Sequence, residues 1–182
     1  MIAAPDLASA AREFGLVSIE GGRHPGWGTA NRIVPLGDAY LELVAVVDET
    51  QAAESAFGRW VAGAPAGPLG WAVRTDRLDD VAQRLGLTVS DGSRVGRDGR
   101  LIQWRLAGVE EAAAEPCLPF FIEWAPGTTL PGHAGDRAEI ALELSGDAER
   151  LSDWLGDHRL PITVRSGAPA IVRIDLDGVC IS

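Results

Sequence analysis

The sequence predicts an α+β fold made of two strand–helix–three-strand (βαβββ) units and a shortened third (βαββ) unit. Three observations carry this. A motif of short apolar run, aspartate, amphipathic helix pattern and glycine occurs three times, in MIAAPDLASAAREFG, WAVRTDRLDDVAQRLG and IALELSGDAERLSDWLG. Its aspartates, Asp6, Asp76 and Asp147, recur about every 70 residues, a period that marks repeated structural units. Each closing glycine is followed by apolar runs broken by Gly, Pro and Asp, the signature of short strands and turns.

Each element has a local reason. The three aspartates can accept backbone N–H bonds as helix N-caps, and Gly15, Gly86 and Gly156 can adopt the left-handed conformation that ends a helix. In the first unit, strands are expected at Leu16–Glu20, Ala30–Leu36 and Ala39–Val47, with a Gly-rich loop after the first and a turn at Gly37-Asp38. A further helix is expected over Glu49–Ala62, capped by Asp48. In the second unit the strands are Leu87–Ser90, Arg100–Ala107 and Leu118–Trp124, with Gly108–Pro116 as an excursion between the last two. The third unit offers Pro161–Arg165, Pro169–Leu176 and a stub at Val179–Ile181. Two Pro/Gly-rich stretches, Ala64–Leu69 and Pro126–Arg137, read as linkers. The units therefore span 1–63, 68–125 and 137–182, in one compact assembly. A helix covers one face of each small sheet, so the other faces must cover each other and enclose a concave space suited to a ligand.

Composition narrows the function. A net charge of −10 argues against nucleic acid, which needs a basic face, and allows a cationic ligand. All 16 basic residues are arginine. No apolar run is long enough to span a bilayer and no signal peptide is visible, so a cytoplasmic protein without a membrane partner is the expectation. Cys117 and Cys180 fit no metal or redox spacing and read as ordinary buried thiols.

The candidate site residues follow from chemistry out of place. Glu42 interrupts the apolar run Tyr40-Leu41-Glu42-Leu43, and a carboxylate in a buried strand needs a partner or a cation. Glu123 interrupts Phe120-Phe121-Ile122-Glu123-Trp124 in the same manner. Neighbours alternate faces, so both carboxylates are expected on the concave side, able to hold a divalent cation or to serve as acid and base. The Gly-rich loop GGRHPGWGT presents His24 and Trp27 and leads to Asn31; His24 is a candidate ligand or proton shuttle. Tyr40, Trp71 and Trp104 complete the expected substrate-binding set. Arg94, Arg97 and Arg100 flank a turn and read as a charged surface loop, His133 as exposed, and His158 as structural after a helix end.

GGRHPGWGTANRIVPLGDAYLELVAV, WAVRTDRLDDVAQRLG, DGRLIQWRLAG and PFFIEW together resemble a glyoxalase-like domain protein of the vicinal oxygen chelate superfamily. The resemblance implies paired βαβββ units forming an open barrel around a pocket. It also implies a divalent metal held by residues on the first and last strands of two units, with Glu42 and Glu123 at the last-strand positions. It implies either pairing of units within the chain or a homodimer.

Relatives carry an Asp-His pair at the first strand, and the matching position here falls before Met1; the second unit has Gly70-Trp71 there. Three functions follow. One is a metal-assisted lyase, isomerase or dioxygenase acting on a small oxygenated molecule. Another is a non-catalytic small-molecule or drug-sequestering protein, for which the acidic charge suits a cationic drug. The last is a relative with a vestigial site.

Overall fold

A computed structural model describes residues 1–96 and 99–182; Arg97 lies outside them. The fold is α+β. The first unit consists of β1 (Ile2–Ala3), α1 (Leu7–Glu13), β2 (Ile19–His24), β3 (Thr29–Leu36) and β4 (Ala39–Val46). α2 (Glu49–Glu54) and α3 (Ala56–Gly63) follow, then the short β5 (Gly67–Pro68). The second unit consists of β6 (Ala72–Arg74), α4 (Leu78–Leu85), β7 (Val89–Val95), β8 (Leu101–Ala107), α5 (Val109–Ala114) and β9 (Phe120–Trp124). A 3₁₀ turn at Pro131–Ala134 leads to the third: β10 (Ile140–Ser145), α6 (Ala148–Leu155), β11 (Ile162–Arg165), β12 (Ala170–Leu176) and β13 (Val179–Ile181).

The first two units share one wiring, with strand orders β2-β3-β4-β1-β5 and β6-β9-β8-β7. In each, the first strand runs parallel to the last. The third sheet is ordered β11-β10-β12-β13, so β10 runs parallel to the strand that follows its helix. Here β13 is only a three-residue hairpin return on β12.

Local chemistry explains the helix ends. Asp6 accepts from the backbone N–H of Ala8 and Ser9, and Asp147 from Glu149 and Arg150, all at 3.0 Å. Asp76 is not a cap: the α4 N-cap position falls one residue later, on Arg77, which makes no side-chain cap bond. The expected helix over Glu49–Ala62 is two helices. Ser55 is extended and its hydroxyl accepts from the Gly58 N–H at 2.8 Å, starting a second helix where the first would have continued.

The Gly-rich stretch is mostly strand rather than loop. β2 takes in Gly21, Gly22 and His24, with a register shift between Glu20 and Gly22. Gly28 closes the following turn at φ +66, and a side chain there would run into the Asp48 carbonyl. β7 likewise extends to Val95, which removes Arg94 from the expected surface loop. Cys117 is buried as expected. Cys180 is exposed, because β13 turns its neighbours Val179 and Ile181 inward and leaves Cys180 on the outer face of an edge strand.

The third unit binds the other two together. One core packs Leu78, Val81 and Phe121 of the second unit against Leu144, Leu151 and Trp154 of the third. Another packs Leu41, Leu43 and Ala11 of the first unit against Ile174, Leu176 and Ile181. Among the described residues no helix is long and apolar enough to cross a membrane.

Candidate functional site

A cavity of about 500 Å³ lies where the three sheets meet. Its lining includes Glu42, His24, Trp27, Asn31, Tyr40, Trp71 and Trp104, the expected set apart from Glu123. It also includes residues that sequence reasoning did not select: Arg94, Arg74, Phe57, Trp124 and the third unit's Ile171 and Ile174. The first and second units pair within one chain to form it.

Among the described residues, Glu42 is the only last-strand carboxylate in the cavity. The parallel register sets Ile2 opposite Leu43 and Val73 opposite Phe121. Leu43 and Phe121 are both fully buried against the helix side of their sheets, so they are equivalent. One step back, Glu42 and Phe120 are the equivalent cavity-facing residues. Glu123 lies two residues beyond Phe121 and therefore shares its helix-side face. There it accepts from Arg105 Nε at 2.9 Å, and from the Leu78 N–H at the start of α4 at 3.4 Å. Arg105 also forks onto Asp79 at 2.9 and 3.1 Å. Expecting the two carboxylates to face each other is thus corrected by strand parity.

The polar wall around Glu42 is specific. Asn31 Nδ2, one strand over, donates to Glu42 Oε1 at 2.7 Å. That orientation leaves Asn31 Oδ1 buried with no partner among the described residues, packed over Gly21, where a Cβ would collide with it. The Arg94 guanidinium, 9% exposed, donates to the Gly21 carbonyl and so ties β7 of the second unit to β2 of the first. Burial lowers its affinity for a proton, and the Glu42 carboxylate opposes that shift. Burial, reinforced by Glu42, holds the Tyr40 hydroxyl far above the ordinary phenol range. Tyr40 makes no hydrogen bond among the described residues, so it stands protonated with its donor free.

His24 is 4% exposed, and Nδ1 shares a hydrogen bond with Thr29 Oγ1 at 2.8 Å. Burial pushes it below 6.5, with Glu42 pulling upward and Arg94 downward. Its ring is walled by Trp27, Phe57 and Trp104, at centroid distances of 5.7, 6.3 and 5.8 Å. Trp124 joins this aromatic wall against Trp104 at 5.3 Å. Gly92 makes room for it, since a side chain there would strike Trp104.

Trp71 touches the cavity edge, with Nε1 donating to the Cys117 carbonyl at 3.2 Å. His158 also reaches the lining, although its Nδ1 pairs with the Leu155 carbonyl at 2.8 Å; His133 is exposed.

The donor set does not fit a divalent metal. The first-strand residues that the register sets beside the cavity-facing last-strand residues are Met1, beside Glu42, and Ala72, opposite Phe120. Only Glu42 is an oxygen or imidazole ligand, where such ions take three or four. Glu123 is engaged by Arg105 on the other face. Among the described residues no three His, Cys, Asp or Glu side chains come together to hold an ion. The acidic balance of the chain does not reach the cavity either. Its lining sets Arg74, Arg94 and Arg159 against Asp38 and Glu42.

The model of the family described as "Glyoxalase-like domain" matches residues 1–148, so the chain belongs to the glyoxalase-like domain family. Its first two units share the βαβββ wiring described above. A hypothetical protein from Staphylococcus aureus matches in structure with a TM-score of 0.62 and 15% identity, over 84% of this chain and 78% of that one. Methylmalonyl-CoA epimerase from Mycobacterium tuberculosis matches with a TM-score of 0.46 and 19% identity, over 70% of this chain and 85% of that one. No curated protein matches the sequence.

Proposed function

We propose that this chain binds a small organic molecule in the cavity between its three sheets, and does so without a divalent metal. One observation carries the reading: the residues paired across the first and last strands at the cavity are Met1 with Glu42 and Ala72 with Phe120, a set with one carboxylate. A single carboxylate on an aromatic-lined wall suits ligand recognition; it does not suit Lewis-acid chemistry, which needs an ion held in fixed geometry. The size supports it as well, since about 500 Å³ lies within the ordinary range for small-molecule sites. This favours a binding or sequestering protein over a metal-assisted lyase, isomerase or dioxygenase.

The test is elemental analysis of protein purified without chelators or a metal-affinity tag, beside a Glu42→Ala variant and after exposure to divalent ions. The expected result is far less than one ion per chain in both proteins, with small-molecule binding unchanged by a chelator. Near-stoichiometric metal that disappears in Glu42→Ala would overturn the reading.

A further inference from the structure

Among the charges that line the cavity, Glu42 and Arg94 are opposite in sign and come from different units. Glu42 uses one oxygen on Asn31 Nδ2, and Arg94 uses one nitrogen on the Gly21 carbonyl. The Glu42 charge acts on Arg94, yet among the described residues no ion pair joins them. Opposite charges in a low-dielectric space attract strongly. Here each is held back by a group on a neighbouring strand of the first unit, β3 for Glu42 and β2 for Arg94. The two charges therefore keep separate partners, which leaves a gap in their pairing. The Tyr40 hydroxyl, also unpaired, lines the same cavity.

We propose that this gap takes the polar end of an α-amino carboxylate: an ammonium on Glu42, a carboxylate on Arg94, and a flat apolar side chain among Trp27, Phe57, Trp104 and Trp124. The inference rests on metal-free binding in the cavity, as proposed above. A plain amine would leave the buried Arg94 without a counter-charge from the ligand, and a plain carboxylate would leave the half-buried Glu42 with only the Met1 amino group, which burial lowers to about 6, as a basic neighbour. A lining with three arginines and two carboxylates argues further against a purely cationic ligand. Guanidinium suits the carboxylate because its planar fork can pair both oxygens while another nitrogen stays on Gly21.

The test is calorimetric titration of the full chain with three probes that share a phenyl body. L-phenylalanine carries both groups, phenethylamine only the ammonium, and 3-phenylpropionate only the carboxylate. The expected result is that phenylalanine binds at least tenfold more tightly than either one-group probe. Arg94→Met should erase its advantage over phenethylamine, and Glu42→Gln its advantage over phenylpropionate. Arg94→Lys, which keeps the charge, guards against a mere folding defect and should retain part of the advantage. Equal binding of all three probes, or an advantage that survives both neutral variants, would overturn the paired-charge assignment and leave metal-free binding standing. Binding of none would overturn the assignment too, and metal uptake at Glu42 in the same preparation would sink both readings.

Discussion

Glu42 and Glu123 sit on the last strands of two units wired alike, and they do different work. Glu42 faces the cavity, half-buried, with one hydrogen bond from Asn31. Glu123 faces the helix, where Arg105 links it to Asp79 on α4. The difference is one of parity. Phe121 corresponds to Leu43, and Glu123 stands two residues after it while Glu42 stands one before. A displacement by an odd number of residues along a strand reverses the face a side chain occupies. A similar residue in a similar strand is therefore no guide to a site until the register with the neighbouring strand is known.

The largest effect tests the register itself. If Phe121 is the helix-side anchor that parity makes it, Phe121→Ala should destabilise the chain by about 3–5 kcal/mol, read by chemical denaturation. A cost under about 1 kcal/mol would mean that the second unit's strand is set differently.

Exchanging the two carboxylates sharpens the contrast further. Glu42→Ala should lower the affinity of the cavity for phenylalanine at least tenfold, about 1.4 kcal/mol, and change the melting temperature little. Glu123→Ala should do the reverse: a loss of stability of about 1 kcal/mol from breaking the Arg105 link, with phenylalanine affinity unchanged. Loss of ligand binding in Glu123→Ala would contradict the assignment of faces.

Two buried groups shape the pH profile near neutrality, His24 and the Met1 amino group. The His24 value in the folded chain is depressed below 6.5 by burial, so the unfolded chain binds the extra proton first. The His24 contribution is therefore fully present above about 6.5 and is lost as pH falls below it, by at most about 1.4 kcal/mol per pH unit, while the Met1 amino group, lowered by burial to about 6, adds a decline that begins nearer pH 8. His24→Gln should flatten the decline between pH 7.5 and 5.5 in thermal melts. An equal decline in the variant would move the cause elsewhere.

The smallest effects compare the caps. Asp147→Ala removes two N-cap bonds and should cost about 1 kcal/mol. Asp76→Ala, at the matching place in the second repeat, caps nothing and should stay within about 0.5 kcal/mol. Equal costs in denaturation would restore Asp76 as a cap.

What the sequence determined by itself is whatever depends on neighbours along the chain. The caps at Asp6 and Asp147, the positive-φ glycines Gly15 and Gly86 after the first two repeat helices, the Gly37-Asp38 turn and the strands of the third unit all arise from interactions a few residues long. The repeat and the family resemblance carried the pairing of units, and the odd carboxylate in Tyr40-Leu41-Glu42-Leu43 marked the cavity wall.

The tertiary structure alone decided which face each strand shows and what stands across from it. Arg94 looked like part of a surface turn because its strand partner, Ile102, lies across a Gly- and Arg-rich stretch with no apolar pattern to announce a strand. Glu123 looked like a site residue because the local alternation of Phe120-Phe121-Ile122-Glu123-Trp124 is apolar on both faces, one toward the cavity and one toward α4. Such a strand carries no signal of which face is which, and only its pairing with β6 and the packing of α4 supply one.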